Sequence, residues 1–125
     1  MKTLIVDDVQ SMRQILKIHL RDLNITDVEE AADGEAALSL LKNLPVDLIL
    51  TDLHMKGMSG MEFIRTLRSK PDFKKIPVIV ISTEQGKGAV VEAAKLGIGA
   101  FLIKPFTVEM LSEALKKSLP SGALS

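Results

Sequence analysis

The sequence predicts an α/β domain in which five strands alternate with five helices and the strands lie in one parallel sheet. Three observations carry this expectation. Short apolar runs rich in β-branched residues recur along the 125 residues. The stretches between them repeat apolar residues at three- and four-residue intervals. The two kinds of segment alternate strictly, and strands alternating with helices build parallel sheets through right-handed crossovers, with helices on both faces.

The elements follow in order. TLIV (3–6) is short and continuous in apolar character, as expected for a strand covered on both faces. Residues 9–23 then place Val9, Met12, Leu16, Leu20 and Leu23 along one side of a helix. TDVEEA (26–31) is a weaker, polar strand candidate that belongs at a sheet edge. Residues 35–44 bring Ala37, Leu38, Leu41 and Leu44 together on a second helix. DLILT (47–51) is the third strand, and 60–69 forms a helix on Met61, Ile64 and Leu67. PVIVIS (77–82) is the fourth strand, and 87–96 a helix carrying Val90, Val91, Ala94 and Leu96. AFLI (100–103) is the fifth strand, and 107–119 a helix on Val108, Leu111, Leu115 and Leu119. No repeat, low-complexity segment or linker interrupts the pattern, so one domain is expected over 1–119, with PSGALS (120–125) as a short flexible tail.

Composition narrows the function classes. A chain of this length buries roughly two thirds of its unfolded surface and needs no staples. There is no cysteine, which excludes disulfides and thiolate metal sites. Lys+Arg and Asp+Glu both number 16, and a net charge of zero argues against a general nucleic-acid binder. No apolar run approaches the roughly 20 residues that span a bilayer. Asp7 comes too early for a signal peptide's apolar segment. A cytoplasmic domain that binds neither nucleic acid nor membrane is expected.

The architecture says where chemistry belongs. In an open parallel sheet, ligands bind beyond the carboxyl ends of the strands. Asp7 and Asp8 end the first strand, Asp52 the third, Ser82 and Thr83 the fourth, and Lys104 with Pro105 the fifth. Three carboxylates on one rim repel, each close pair by about 4 kcal/mol at an effective dielectric near 20. A bound cation relieves this. Oxygen ligands without His or Cys favour Mg²⁺, Mn²⁺ or Ca²⁺, and few protein ligands with room for water favour Mg²⁺. Lys104 suits a phosphate as a point charge, and a Ser or Thr hydroxyl can donate to another phosphate oxygen. Asp52 can then act as a nucleophile that becomes an acyl phosphate.

Blander readings compete with these. Asp8 alone reads as a helix N-cap, and Ser82 or Thr83 alone as a strand-end hydroxyl. The acidic pair together with Asp52 and Lys104 on one rim outweighs both. His19 lies at the edge of an apolar helix face and reads as structural. His54 has no His or Cys partner for side-chain metal ligation. QGKG (85–88) is not a Walker loop, and no G-x-G-x-x-G follows the first strand. The six Met residues read as core fillers or surface adaptors.

LIVDD, DLILTDLHM, PVIVIST and LIKPFT, in that order and spacing, resemble the receiver domain of bacterial two-component response regulators, over roughly residues 2–119. Within that family the chain is most similar to the single-domain chemotaxis regulators. The resemblance implies a flavodoxin-like, doubly wound sheet with strand order 2-1-3-4-5. It implies that Asp52 accepts the phosphoryl group, that Asp8 ligates Mg²⁺ directly and Asp7 through water, and that His54 lends its backbone carbonyl. Ser82 matches the hydroxyl that follows the phosphate, and Lys104 the family's lysine. Pro105 matches its cis proline, and Phe101 the aromatic that swings on phosphorylation. Residues 54 and 84, two beyond Asp52 and Ser82, flank the path of attacking water. The output face expected on the fourth helix, fifth strand and fifth helix includes Lys87, Val90, Ala94, Phe101 and Lys117, a basic and apolar mixture suited to an acidic amphipathic partner.

Two positions depart from the family's pattern. In DLHMKGMSG, Lys56 stands where a Pro is usual and Ser59 where an acid is common. Lys56–Gly57 leaves that loop less rigid than proline would, and Lys56 is placed to reach toward the phosphate.

The implied partners are a sensor histidine kinase, a downstream protein such as a flagellar motor component, and a phosphatase. The implied activity is that of a switch, which catalyses only its own phosphorylation and dephosphorylation. Alternatives are a phosphate sink or relay receiver, a receiver severed from a DNA-binding effector, and a Mg²⁺-dependent aspartyl-phosphate phosphohydrolase. The last wants D-x-D on the first strand and a cap domain, whereas this chain has D-D there. The chain ends about six residues past the last helix without a basic recognition helix, so a protein acting alone is expected.

Overall fold

A computed structural model describes residues 1–84 and 86–120. The chain runs β1 (Thr3–Val6), α1 (Gln10–Asp22), β2 (Val28–Ala31), α2 (Gly34–Leu41), β3 (Leu48–Thr51), α3 (Gly60–Ser69), β4 (Val78–Ser82), α4 (Lys87–Lys95), β5 (Ala100–Ile103), α5 (Val108–Ser118). All five strands are parallel in one sheet of order β2-β1-β3-β4-β5. The fold class, strand order and element sequence agree with expectation, and the ends shift by a few residues. The expected tail at 120–125 lies outside the described residues except for Pro120.

The apolar runs are explained by two-sided burial. In β1, β3 and β4, alternate residues feed opposite core layers. Ile5, Leu48, Leu50, Ile79 and Ile81 pack under α1 and α5 with Leu16, Leu20, Leu111 and Leu115. Leu4, Val6, Ile49, Val78 and Val80 pack under α2 and α3 with Ala37, Leu41, Phe63, Ile64 and Leu67. The polar strand β2 is an edge: Glu30 on it meets Arg13 (3.1 Å) and Lys17 (3.0 Å) of α1. Burial pushes the Glu30 carboxyl up, but hydrogen bonds from Lys17 and Arg13 outweigh it and hold the carboxyl below its ordinary value.

Local signals set the helix ends. Asp33 accepts from the Ala36 N–H (2.7 Å) to start α2, and Thr107 accepts from the Met110 N–H (3.1 Å) to start α5. Ser59 and Glu62 form a reciprocal capping box on α3. α1 ends on Asn24 in the left-handed region (φ 66°), with the Ile25 N–H donating back to the Leu20 carbonyl. At Gly60 a Cβ would collide with the Asp52 carbonyl and the Leu53 backbone. Only glycine lets α3 begin this close to the loop that carries Asp52.

Two helical stripes differ from expectation. Val9 is not on the buried side of α1; it is the N-cap and is exposed. Val90, Val91 and Ala94 likewise face solvent, while Ala93 is the fully buried residue of α4, and Ala89 and Leu96 pack against the core layer under α2 and α3. A helix covering little of the sheet buries a narrow, small-residue stripe, and valines outside it remain exposed.

Candidate phosphoryl-acceptor site

The carboxyl ends of β1, β3, β4 and β5 meet at one rim. Their register brings this about: Val6 pairs with Thr51, and Ser82 with Ile103, so the next residue of each chain segment enters the same edge. The Asp52 N–H donates to the Val6 carbonyl (3.0 Å) and the Lys104 N–H to the Ser82 carbonyl (2.9 Å), which ties the loops to their neighbours.

Asp7, Asp8 and Asp52 each present a carboxylate oxygen within 4.8 Å of the others. Asp7 and Asp52 are buried, at 2% and 7% exposure, and Asp8 lies nearer the solvent. The Lys104 ammonium donates to Asp7 Oδ2 and Asp52 Oδ2, both at 3.1 Å. The half-buried Lys104 ammonium thus offsets part of the repulsion among the carboxylates. Asp52 Oδ1 accepts from the N–H groups of Leu53 (2.7 Å) and His54 (3.3 Å), which fixes the carboxylate plane.

The N-cap reading of Asp8 does not hold. α1 has no side-chain cap, and it is Asp7 Oδ1 that accepts from the Val9 N–H (2.9 Å), while Arg13 donates to the Asp7 carbonyl (2.6 Å). The Asp8 side chain has no hydrogen-bond partner among the described residues and is left to the rim.

The donor set fits Mg²⁺: three carboxylates converge with no imidazole or thiol side chain in the cluster, and the open side at Asp8 leaves room for water. Asp7, Asp8 and Asp52 are the side chains that would hold the ion.

The remaining rim residues divide. Ser82 is fully buried, and its Oγ accepts from the Glu84 N–H (3.2 Å). His54 Nε2 lies 3.5 Å from Glu84 Oε2, so a side-chain pair bridges the loops after β3 and β4. Separate placement of His54 and Glu84 was legible from spacing; their contact was not. Lys56 is exposed and has no ion-pair partner among the described residues, and the glycine after it, Gly57, takes φ 74°. Thr83 is exposed. The Lys104–Pro105 peptide is cis. His19 packs edge-on against Phe106 with ring centroids 5.8 Å apart.

Phe101 is half-buried against the α2–α3 core layer. It also lines a groove of about 370 Å³ between β5 and α5 with Leu102, Glu109, Met110, Glu113 and Lys117. Lys87, Val90 and Ala94 are exposed on α4 but do not line that groove. The groove is less basic than the sequence suggested, because Glu109 and Glu113 share it with Lys117.

Comparison with known proteins agrees with this arrangement. The family model for the response regulator receiver domain matches residues 3–116. The chain is 40% identical to the chemotaxis protein CheY of Pseudomonas aeruginosa over 117 residues, covering 94% of each chain. It is 42% identical to CheY1 of Helicobacter pylori over 117 residues, covering 93% of this chain and 94% of that protein. Among solved structures, CheY4 of Vibrio cholerae superposes with a TM-score of 0.86 at 35% identity, covering 94% of this chain and 98% of the other. Sheet order, rim geometry and sequence therefore converge: the chain belongs to the response regulator receiver domain family.

Proposed function

We propose that this receiver accepts a phosphoryl group on Asp52 from a phosphohistidine of a sensor kinase and signals through phosphorylation-dependent protein binding. The observation that carries the reading is the Asp52 carboxylate, buried at the rim, held by two backbone N–H groups and set 3.1 Å from Lys104 beside two further carboxylates. An Asp52 oxygen attacks phosphorus, the P–N bond breaks, and its electron pair returns to the imidazole nitrogen. Bound Mg²⁺ would neutralise charge on the transferring oxygens. Lys104 moves from a carboxylate partner to a phosphoryl oxygen, and the Ser82 hydroxyl turns to donate to another. Glu84 and His54 border the approach of water and set the lifetime of the acyl phosphate.

Phosphorylation replaces the single negative charge of the Asp52 carboxylate with an acyl phosphate carrying about two, and adds phosphoryl oxygens that accept hydrogen bonds. Movement of Ser82 frees space that the Phe101 ring fills, and the groove lined by Phe101 and Met110 changes shape. Phe101 has no hydroxyl, so packing alone drives its swing. The similarity to proteins named for chemotaxis supports a place in motility control, with a flagellar motor component as the downstream target and a phosphatase as the means of resetting. The switch turns over only its own phosphoryl group. Incubation with Mg²⁺ and acetyl phosphate should label Asp52 and leave Asp52→Asn unlabelled. Equal labelling of the variant would overturn the assignment.

A further inference from the structure

The opposite end of the sheet carries a second charged feature. Helices α3, α4 and α5 all finish there, around the segments that lead into β4 and β5. A cavity of about 530 Å³ opens between them, lined by Arg68, Lys74, Lys75, Lys95 and Ser118 over an apolar floor that includes Leu96. Among the described residues, no Asp or Glu lines it.

The four cations are not equivalent. Arg68 donates to the carbonyls of Leu96 (2.8 Å), Gly97 (3.3 Å), Lys74 (3.0 Å) and Ile76 (2.9 Å). It thereby answers the partial negative charge of the carbonyls that close α4 and the loop before β4. That leaves Lys74, Lys75 and Lys95, whose ammonium groups have neither an ion pair nor a hydrogen bond among the described residues. Ser118 adds an independent observation: its Oγ is buried and has no hydrogen-bond partner among the described residues. A buried hydroxyl without a partner is costly, and rotation about χ1 would let it donate to a ligand oxygen.

We propose that this cavity binds a small anion carrying two or more linked phosphate groups, with Lys74, Lys75 and Lys95 on the phosphate oxygens and Ser118 as a hydroxyl donor. Lysine ammoniums bind phosphate as point charges. Three of them around one concavity match the charge of a pyrophosphate or triphosphate moiety, and Leu96 offers an apolar surface for an attached ring. A duplex or a lipid surface fits less well: each takes a broad basic face, whereas these cations surround a single bay on a chain of zero net charge.

The test uses the full chain without divalent cations, so that the acidic rim does not recruit the probe. Inorganic tripolyphosphate and ATP are titrated at physiological salt while backbone amide resonances are followed. Saturable shifts are expected at residues 74–76 and 96–99. Affinity should fall about tenfold for each of Lys74→Ala and Lys95→Ala, the loss of one charge-assisted contact, and also for Ser118→Ala. Labelling of Asp52 by acetyl phosphate should be unchanged in the lysine variants, whose surface positions keep the fold intact. The proposal is overturned by the absence of saturable shifts at millimolar probe, by shifts centred on Lys104, or by undiminished affinity in a Lys74→Ala/Lys95→Ala double variant. Binding of duplex DNA or anionic vesicles without saturable tripolyphosphate binding also overturns it.

Discussion

Replacing Lys104 by Met tests the electrostatics of the rim directly. The side chains of Lys104, Asp7 and Asp52 are 11%, 3% and 8% exposed, so water screens them little. At 3.1 Å and an effective dielectric near 20, each attraction to Lys104 is worth about 5 kcal/mol, about 10 in sum. Three carboxylate pairs with oxygens within 4.8 Å repel by about 3 to 4 kcal/mol each, again about 10 in sum. The lysine therefore nearly balances the acids, and its loss leaves the repulsion unopposed. Relaxation and solvent relieve part of that, and removing one partner of a buried pair costs about 3–5 kcal/mol in practice. Urea unfolding in the presence of a chelator should show Lys104→Met destabilised by that amount, with the slope of the transition unchanged. Millimolar Mg²⁺ should then stabilise the variant more than the wild type, because a dication can replace the missing charge. A loss under about 1 kcal/mol, or an equal Mg²⁺ response in both proteins, would refute the charge balance.

Asp8→Asn removes two of the three repelling pairs and one ligand; because Asp8 is open to solvent, screening cuts the pairwise repulsion, and the metal-free protein should gain about 1 kcal/mol, while its melting temperature should no longer rise with Mg²⁺, as differential scanning calorimetry can check. His54→Ala and Glu84→Ala should alter acyl-phosphate decay without blocking its formation, measured by loss of radiolabel; unchanged decay in both would remove these residues from the water path. Phe101→Ala should reduce the preference of a target peptide for the beryllofluoride-bound form over the free form, and full discrimination in the variant would assign output to another surface. The Glu30 carboxyl is held below its ordinary value in the folded state, so its pairing stabilises at pH above that ordinary value and is lost as pH falls through the lowered one. Glu30→Gln should therefore cost about 0.5–1 kcal/mol at neutral pH and nothing in strong acid; a loss independent of pH would show that packing rather than charge explains it.

How the site was legible follows from where its residues stand. Asp7, Asp8, Asp52, Ser82 and Lys104 each sit at or just beyond the carboxyl end of an apolar run, and a parallel sheet sends all such ends to one edge. Residue type and position along the chain therefore sufficed to gather them. Strand order was not legible from periodicity and came through the family resemblance, since every buried strand reads alike when both faces are covered. The caps at Asp33, Ser59 and Thr107 were present as signals in the sequence, with Ser59 and Glu62 in the capping-box spacing.

The sequence by itself determined the alternation of strands and helices, because two-sided burial writes continuous apolar runs and one-sided burial writes helical stripes. It also determined which residues reach the rim, because a strand end is a local property. Only the tertiary structure decided that Lys104 bridges Asp7 and Asp52, that His54 meets Glu84, that Val9 and Val91 lie outside the core, and that Lys74, Lys75 and Lys95 surround one cavity. Each of these depends on distances between residues far apart in the chain, and those are set by strand register, by which helix covers which face, and by how much of the sheet that helix covers. Local periodicity gives a side chain a face; it does not name the neighbour across from it.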